Sequence, residues 1–205
     1  MKDTYAACIS DDLALLTVSG GDSVEPFAQA REVALMKRIA RDDQLAMEEL
    51  LCLWRLPIFR FFLRSLNHHE DSEDLTQRVF IRVYRSAERY VPKAKFSTWV
   101  FTIARNLLID EIKKRKRRPQ VVSDEHIENT AGHEVNNLEE WNEVVIRHLN
   151  AIAENHRTAL LLRVQRELSY REIADIMKTS ESSVKTWIHR ARLDLKKSLS
   201  NLTQP

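Results

Sequence analysis

Glycine and proline are scarce in this chain of 205 residues, which holds three of the first and five of the second. Sandwiches and barrels need turn residues every few positions, so such sparse punctuation excludes them and leaves helices. Cysteine is nearly missing as well. Cys8 and Cys52 have neither metal-ligand spacing nor the pattern of a disulfide framework, which fits a reducing cytoplasm. No apolar run is long enough to cross a bilayer, and no charged-then-apolar leader opens the chain, so neither membrane insertion nor secretion is expected. A Gly-rich phosphate loop and an HExxH pattern are also lacking, and catalysis, a cofactor and a small-molecule substrate are not expected. His68-His69-Glu70-Asp71 has metal-binding residue types, but successive helical positions point about 100° apart and no second ligand cluster accompanies them, so no metal site is assigned.

What is present is hydrophobic residues at 43%, enough for a core, and a net charge of only +2 that hides a strong asymmetry. Every residue from Lys113 to Arg118 is basic, whereas the stretch from Pro119 to Glu143 has seven carboxylates and no Lys or Arg. Blocks of this kind mark separate interaction surfaces or tails, the plainer alternative being solvated faces.

The most informative stretch is near the C-terminus. Leu168-Ser169-Tyr170-Arg171-Glu172-Ile173-Ala174 is followed by Ser182-Ser183-Val184-Lys185-Thr186-Trp187-Ile188-His189-Arg190-Ala191-Arg192. Ser169 and Glu172 have the spacing of a capping box, and Ser180 is placed to cap a second helix. Val184, Ile188, Ala191 and Leu195 repeat at helical spacing and are expected inside. Lys185, Thr186, Trp187, His189, Arg190 and Arg192 are then outside. Two short helices with a basic second one have the pattern of a helix-turn-helix that enters a DNA major groove. The alternative is an amphipathic hairpin with a solvated basic face.

Upstream, residues 1–26 lack clear periodicity and are expected to be a flexible extension. Helical patterning starts near Phe27, and Pro57 is expected to kink or restart the helix that contains it. A helix is expected over residues 71–89, with Leu75, Val79, Phe80, Val83 and Ala87 on one side and Asp74, Gln77, Arg78, Ile81 and Arg85 on the other. Residues 97–117 form the next, with Val100, Phe101, Ile103, Ala104, Leu107, Leu108 and Ile112 on the apolar arc. Thr102, Arg105, Asn106 and Lys113 lie opposite, with Trp99 at the edge. Residues 119–137 read as an acidic linker; its stretch to Glu143 reaches roughly 85 Å if nearly extended. Two further helices, residues 138–153 and 156–167, lead into the helix-turn-helix. The fold class is therefore all-α: two helical domains, residues 27–118 and 138–205, joined by an acidic flexible linker.

Two separated stretches now resemble one family. Asp71-Ser72-Glu73-Asp74-Leu75-Thr76-Gln77-Arg78-Val79-Phe80-Ile81-Arg82-Val83-Tyr84-Arg85 resembles the core-polymerase-binding helix of bacterial RNA polymerase sigma factors. Phe96-Ser97-Thr98-Trp99-Val100-Phe101-Thr102-Ile103-Ala104-Arg105-Asn106, through Asp110 and the basic run, resembles their promoter-opening helix. The C-terminal helix pair resembles their second promoter-reading domain. Order, spacing and size are similar to the extracytoplasmic-function group, which keeps only these two domains. The chain departs from the family pattern at Arg78, where an acid is usual, at Trp187, where arginine is common, at Ile152-Ala153-Glu154 in place of Leu-Pro, and at Lys178-Thr179-Ser180, which lacks the customary glycine.

The resemblance implies core RNA polymerase and promoter DNA as partners and admits an anti-sigma factor. It places Asp71, Glu73, Asp74, Gln77 and Ile81 at the polymerase; an acidic first turn that favours the helix dipole explains the first three equally well. It places Phe96, Trp99, Arg105, Asn106, Lys113, Lys114, Arg115 and Arg117 at the upstream promoter element and strand opening. For Phe96 and Trp99, a core role stands beside a base-stacking one. Ser183, Lys185, Thr186, Trp187, His189 and Arg190 are placed at the distal duplex element. The rival reading is a stand-alone helix-turn-helix regulator, which has no need of an aromatic and basic helix in its first domain.

Overall fold

The structure, a computed structural model, describes residues 25–117, 148–166 and 168–200. These form α1 (Glu25–Ile39), α2 (Gln44–Leu66), α3 (His69–Ser86), a 3-10 turn (Ala87–Arg89), α4 (Phe96–Arg117), α5 (Glu154–Arg166), α6 (Tyr170–Met177) and α7 (Glu181–Ser200). Residues 148–151 are helical and end just before α5. The described residues contain no strand. The expected extension up to residue 24 and the expected acidic linker lie outside the described residues.

The N-terminal unit is built around α2 and α4. Asp43 starts α2 by accepting from the Ala46 amide at 3.2 Å, and Asn67 ends it in the left-handed conformation, donating to the Leu63 carbonyl. Of the two expectations at Pro57, a kink or a restart, the restart does not occur: α2 runs as one helix through the proline. An internal proline costs about 3 kcal/mol. Leu50, Trp54, Ile58, Phe61 and Phe62 surround Pro57 in sequence and are all buried. Each such side chain returns about 1.5–3 kcal/mol, so burial overrides the local penalty. The Trp54 indole also donates to Glu32 Oε1 at 2.8 Å, pinning α2 to α1.

Helix α3 starts at His68, whose Nδ1 accepts from the Asp71 amide at 3.2 Å. That histidine is a cap. Leu75, Val79, Phe80, Val83 and Ala87 are buried, as their spacing implies, while Asp74, Gln77, Arg78, Ile81 and Arg85 are exposed. In α4 the inward face is Phe96, Val100, Phe101, Ala104, Leu107 and Leu108. Its aromatic rings meet edge to face: Phe101 with Phe61 at 5.5 Å and with Trp54 at 6.2 Å, Phe96 with Trp54 at 5.2 Å.

The C-terminal unit is a helix-turn-helix laid on α5. The capping box forms in full: the Glu172 amide donates to Ser169 Oγ at 3.2 Å and the Ser169 amide to Glu172 Oε2 at 2.8 Å. Ser180 Oγ accepts from the Ser183 amide at 3.2 Å and so caps α7. Val184, Ile188 and Ala191 are buried and Leu195 partly so. Between the helices, Lys178 adopts φ 52°, ψ 53°. Its amide donates to Asp175 O and that of Thr179 to Ala174 O, the paired bonds of a Schellman motif, whose left-handed position favours glycine. The turn therefore keeps its shape without the residue best suited to it.

Replacing Lys178 with glycine removes the steric penalty of a Cβ in the left-handed region and returns part of it as unfolded-chain entropy. Chemical denaturation of Lys178→Gly is expected to show a gain of about 1 kcal/mol. A loss would mean that the lysine side chain itself holds the turn.

Candidate nucleic-acid interface

The expected polymerase-facing residues share one surface of α3. Glu73, Asp74, Gln77 and Ile81 are exposed and Asp71 is half-buried. Asp74 pairs with Arg78 at 2.8 Å one turn on, so the arginine at this position is tied to the acidic patch. Ile81 and Tyr84 are each 49% exposed. Tyr84 was not singled out from sequence. Its hydroxyl donates to Asp42 Oδ1 at 2.7 Å, and that hydrogen bond to a carboxylate, with the nearby charge, pushes its phenol above the ordinary range. The signal that finds it is its spacing of three from Ile81 on the exposed arc.

The basic run divides into two groups. Lys113, Lys114 and Arg117 are exposed at the end of α4, where cations also suit the helix C-terminus. Lys114 reaches Glu111 at 3.3 Å without leaving the surface. Arg115 turns back instead: it bonds Asp71 of α3 and lies 3.7 Å from Glu111. One expected DNA contact and one expected polymerase contact are therefore paired with each other across the unit.

On α4, two aromatic residues that stood between core and stacking roles are buried to different degrees, and two polar residues differ from expectation. Phe96 is completely buried, ringed by Trp54, Tyr90 and Trp99 at 5.2, 6.2 and 5.6 Å. Its ring has no exposed face, which supports the core reading of the two. Trp99 is partly buried, its ring 4.8 Å from that of Tyr90. Arg105 and Asn106, expected on an open polar arc, are half-buried; α6 packs against α4, and Glu154 of α5 lies near Arg105. Burial lowers the Arg105 pKa, and the nearby Glu154 carboxylate opposes the shift.

On α7, Lys185, Thr186, His189, Arg190 and Arg192 are exposed along one side. Ser183 is half-buried and its hydroxyl lies 2.8 Å from that of Ser180, so it serves the cap. Thr186 Oγ1 donates to the Ser182 carbonyl at 2.9 Å. Trp187, expected outside, is partly buried and packs toward His156 of α5, ring to ring at 6.5 Å. An indole is largely apolar and takes the nearest dry surface. Sequence reasoning also missed Tyr170, whose ring lies beneath Arg163 at 5.3 Å and Lys185 at 5.6 Å. Stacking of this kind holds cations in place at the surface.

The arrangement presents two cationic surfaces on separate units, α4's end and α7's outer side, with an acidic-apolar patch on α3. Comparisons with known proteins point the same way. Residues 54–118 match the family model described as Sigma-70 region 2, and residues 143–195 match Sigma-70, region 4. The ECF RNA polymerase sigma factor SigW of Bacillus subtilis is 31% identical over 182 residues, covering 82% of this chain and 96% of that protein. The ECF RNA polymerase sigma-E factor of Escherichia coli is 28% identical over 189 residues, covering 86% and 96%. Among solved structures, CnrH in complex with the cytosolic domain of CnrY superposes with a TM-score of 0.65 at 21% identity, covering 83% of this chain and 98% of that one. The sigma factor RpoE of Bartonella quintana, in complex with the anti-sigma factor NepR, gives 0.62 at 24%, covering 75% and 96%. At these identities the two structures support the all-α fold.

The burial of Phe96 separates core from contact roles by experiment. Phe96→Ala is expected to cost about 3–5 kcal/mol of unfolding free energy, read by denaturant titration of the isolated protein. A variant of full stability that failed only in promoter melting would return Phe96 to the DNA surface.

Proposed function

This chain belongs to the sigma-70 family of RNA polymerase sigma factors, in the extracytoplasmic-function group, and from that premise we propose how its residues divide the work. It directs core RNA polymerase to specific promoters and assists strand opening. The family consists of transcription initiation factors that are not themselves enzymes, and in our reading the chemistry of RNA synthesis is wholly the polymerase's. The site of action is the cytoplasm, where polymerase and chromosome meet; in keeping with that, no helix among the described residues is long and apolar enough to cross a membrane.

The observation that carries this reading is the order of surfaces along one chain: an exposed Asp74–Gln77–Ile81 patch, then an exposed Lys113–Lys114–Arg117 helix end, then an exposed Lys185–His189–Arg190 face. In the proposed division the first docks polymerase. Ile81 and Tyr84 supply apolar area, and the acids around them give orientation. The second holds backbone phosphates close to the separating strands, where each neutralised phosphate releases condensed counterions. Arg105 and Asn106 supply hydrogen-bond donors to exposed bases from the adjoining arc. Unstacking a base costs a few kcal/mol, so these contacts are needed on the same helix that grips the backbone. The third reads duplex DNA, with Lys185 and Arg190 at phosphates or guanine edges. The acidic stretch of residues 119–143 joins the two grips. As a further part of the proposal, an anti-sigma factor restrains the protein; two superposing structures are of complexes, and one of those partners is named as an anti-sigma factor.

Transcript-start mapping with purified protein and core polymerase tests the reading. Specific starts are expected; a stand-alone regulator would bind an operator unaided and initiate nothing. Two variants resolve the grips. Lys113→Ala, Lys114→Ala and Arg117→Ala combined are expected to lower the salt-dependence slope of promoter binding by about 2–3, at about 0.9 per phosphate contact; an unchanged slope removes the phosphate role. Arg190→Ala is expected to cost about 1–3 kcal/mol at the distal element with polymerase capture intact. Equal losses in both assays would mean misfolding.

A further inference from the structure

A cavity of about 380 Å³ opens beside the end of α4. Leu66 of α2 and Ile112, Arg115 and Lys116 of α4 line one part of it, and Asn150, Glu154 and Arg157 line another. Ligand pockets run from about 300 to 1,000 Å³, so this one suits a small ligand. Its charge sets the class. Arg115, Lys116 and Arg157 stand against a single carboxylate, Glu154. That carboxylate is already shared, lying near Arg105 and Arg157 and 3.8 Å from Lys116. The cavity therefore carries an excess of positive charge.

Arg157 gives a second and independent indication. Its Nη1 donates to Asn150 Oδ1 at 2.5 Å, which leaves the N–H donors of that amide out of the bond. Its Nε is shielded from solvent and meets no acceptor among the described residues. A buried donor without a partner costs about 1–3 kcal/mol, and more when it is charged. Burial lowers the Arg157 pKa, and Glu154 opposes the shift. The guanidinium is thus short of counter-charge, and its planar fork matches the oxygens of a phosphate. Lys116 comes from a different helix. Its side chain is 74% exposed and its pair with Glu154 is long, so little holds the ammonium back from an anion. Arg115 is occupied by Asp71 and Glu111 and adds positive field. Leu66 and Ile112 supply an apolar wall. Two cations on separate elements suit two linked phosphates better than one.

We propose that this cavity binds a diphosphate group, free or carried on a nucleoside, with Arg157 and Asn150 on one phosphate and Lys116 on the other. None of these three residues belongs to the polymerase and DNA surfaces assigned above, and the binding is a property of the free protein.

Calorimetric titration of the full chain, in metal-free buffer, tests this with inorganic pyrophosphate and with ADP. Saturable binding of pyrophosphate at one site per chain is expected. Equal affinity for ADP means that the diphosphate alone is recognised, and tighter ADP binding means that the apolar wall holds the carrier; both support the site. No binding of pyrophosphate, or binding of ADP alone, overturns it. Arg157→Gln is expected to weaken pyrophosphate by about 10-fold or more, the worth of one charge-assisted hydrogen bond. Lys116→Gln, at an exposed position that the fold does not need, is expected to weaken it by about 3-fold. Unchanged affinity in both variants overturns the proposal, as does a loss in Arg157→Gln that comes with a lowered melting temperature of the ligand-free protein while Lys116→Gln binds normally. Lys113→Ala, Lys114→Ala and Arg117→Ala combined remove cations outside the cavity. Pyrophosphate affinity within about 2-fold of the parent is expected; abolished binding would place the anion on the surface run and overturn the cavity.

Discussion

One helix is apolar core on one side and polar, cationic surface on the other, and the rest of the molecule is arranged around that division. Helix α4 buries Phe96, Val100, Phe101, Ala104 and Leu108 against rings from α2, with Phe101 edge-on to both Phe61 and Trp54. Edge-to-face contacts fix orientation as well as distance. Turning α4 by a single residue position, about 100°, would take those rings out of the core and bring charge in. The aromatic lock thus sets which arc points outward, and with it the direction of Arg105, Asn106 and the terminal cations. The same lock carries α2 through Pro57, because the side chains on both sides of the proline are needed in the core.

Charge is distributed so that neighbouring helices are coupled through it. Arg115 uses its guanidinium on Asp71 and Glu111, joining α4 to α3. Lys113, Lys114 and Arg117 remain on the surface, where counterion release rewards contact with phosphate. In the second unit, Tyr170 beneath Arg163 and Lys185 gives a similar arrangement, with cations held by a ring at the foot of α7. The departures at Arg78 and Trp187 fit this picture. Arg78 pairs with Asp74 on its own helix, and Trp187 leaves the outer face for a partly dry place near His156.

Much of the fold was legible before any coordinates. Ser169 and Glu172 announced their capping box, and the buried side of α3 followed from spacing alone, as did Val184, Ile188 and Ala191 in α7. Those features depend on residues within one or two turns, where side-chain direction is set by the helix itself. The order of the motifs was enough to suggest the family. The candidate site was less legible. Phe96 sat between stacking and core, and nothing local distinguishes a ring that faces a base from one that faces Trp54, more than forty positions away. Arg105 and Trp187 were both assigned to open faces by their periodicity, and both lie partly under another helix.

The chain order alone, through periodicity, caps and blocks of charge, settles that there are helices, where most of them start and stop, and which side of each is apolar. It also carries the two cationic stretches and their separation. Which polar arc stays wet was settled by the folded arrangement: α6 over α4, α5 beside Trp187, Asp71 across from Arg115. Helical spacing reports only the contacts a helix makes with itself. The covering of one helix by another depends on pairs of residues far apart in the chain, whose meeting no local pattern encodes.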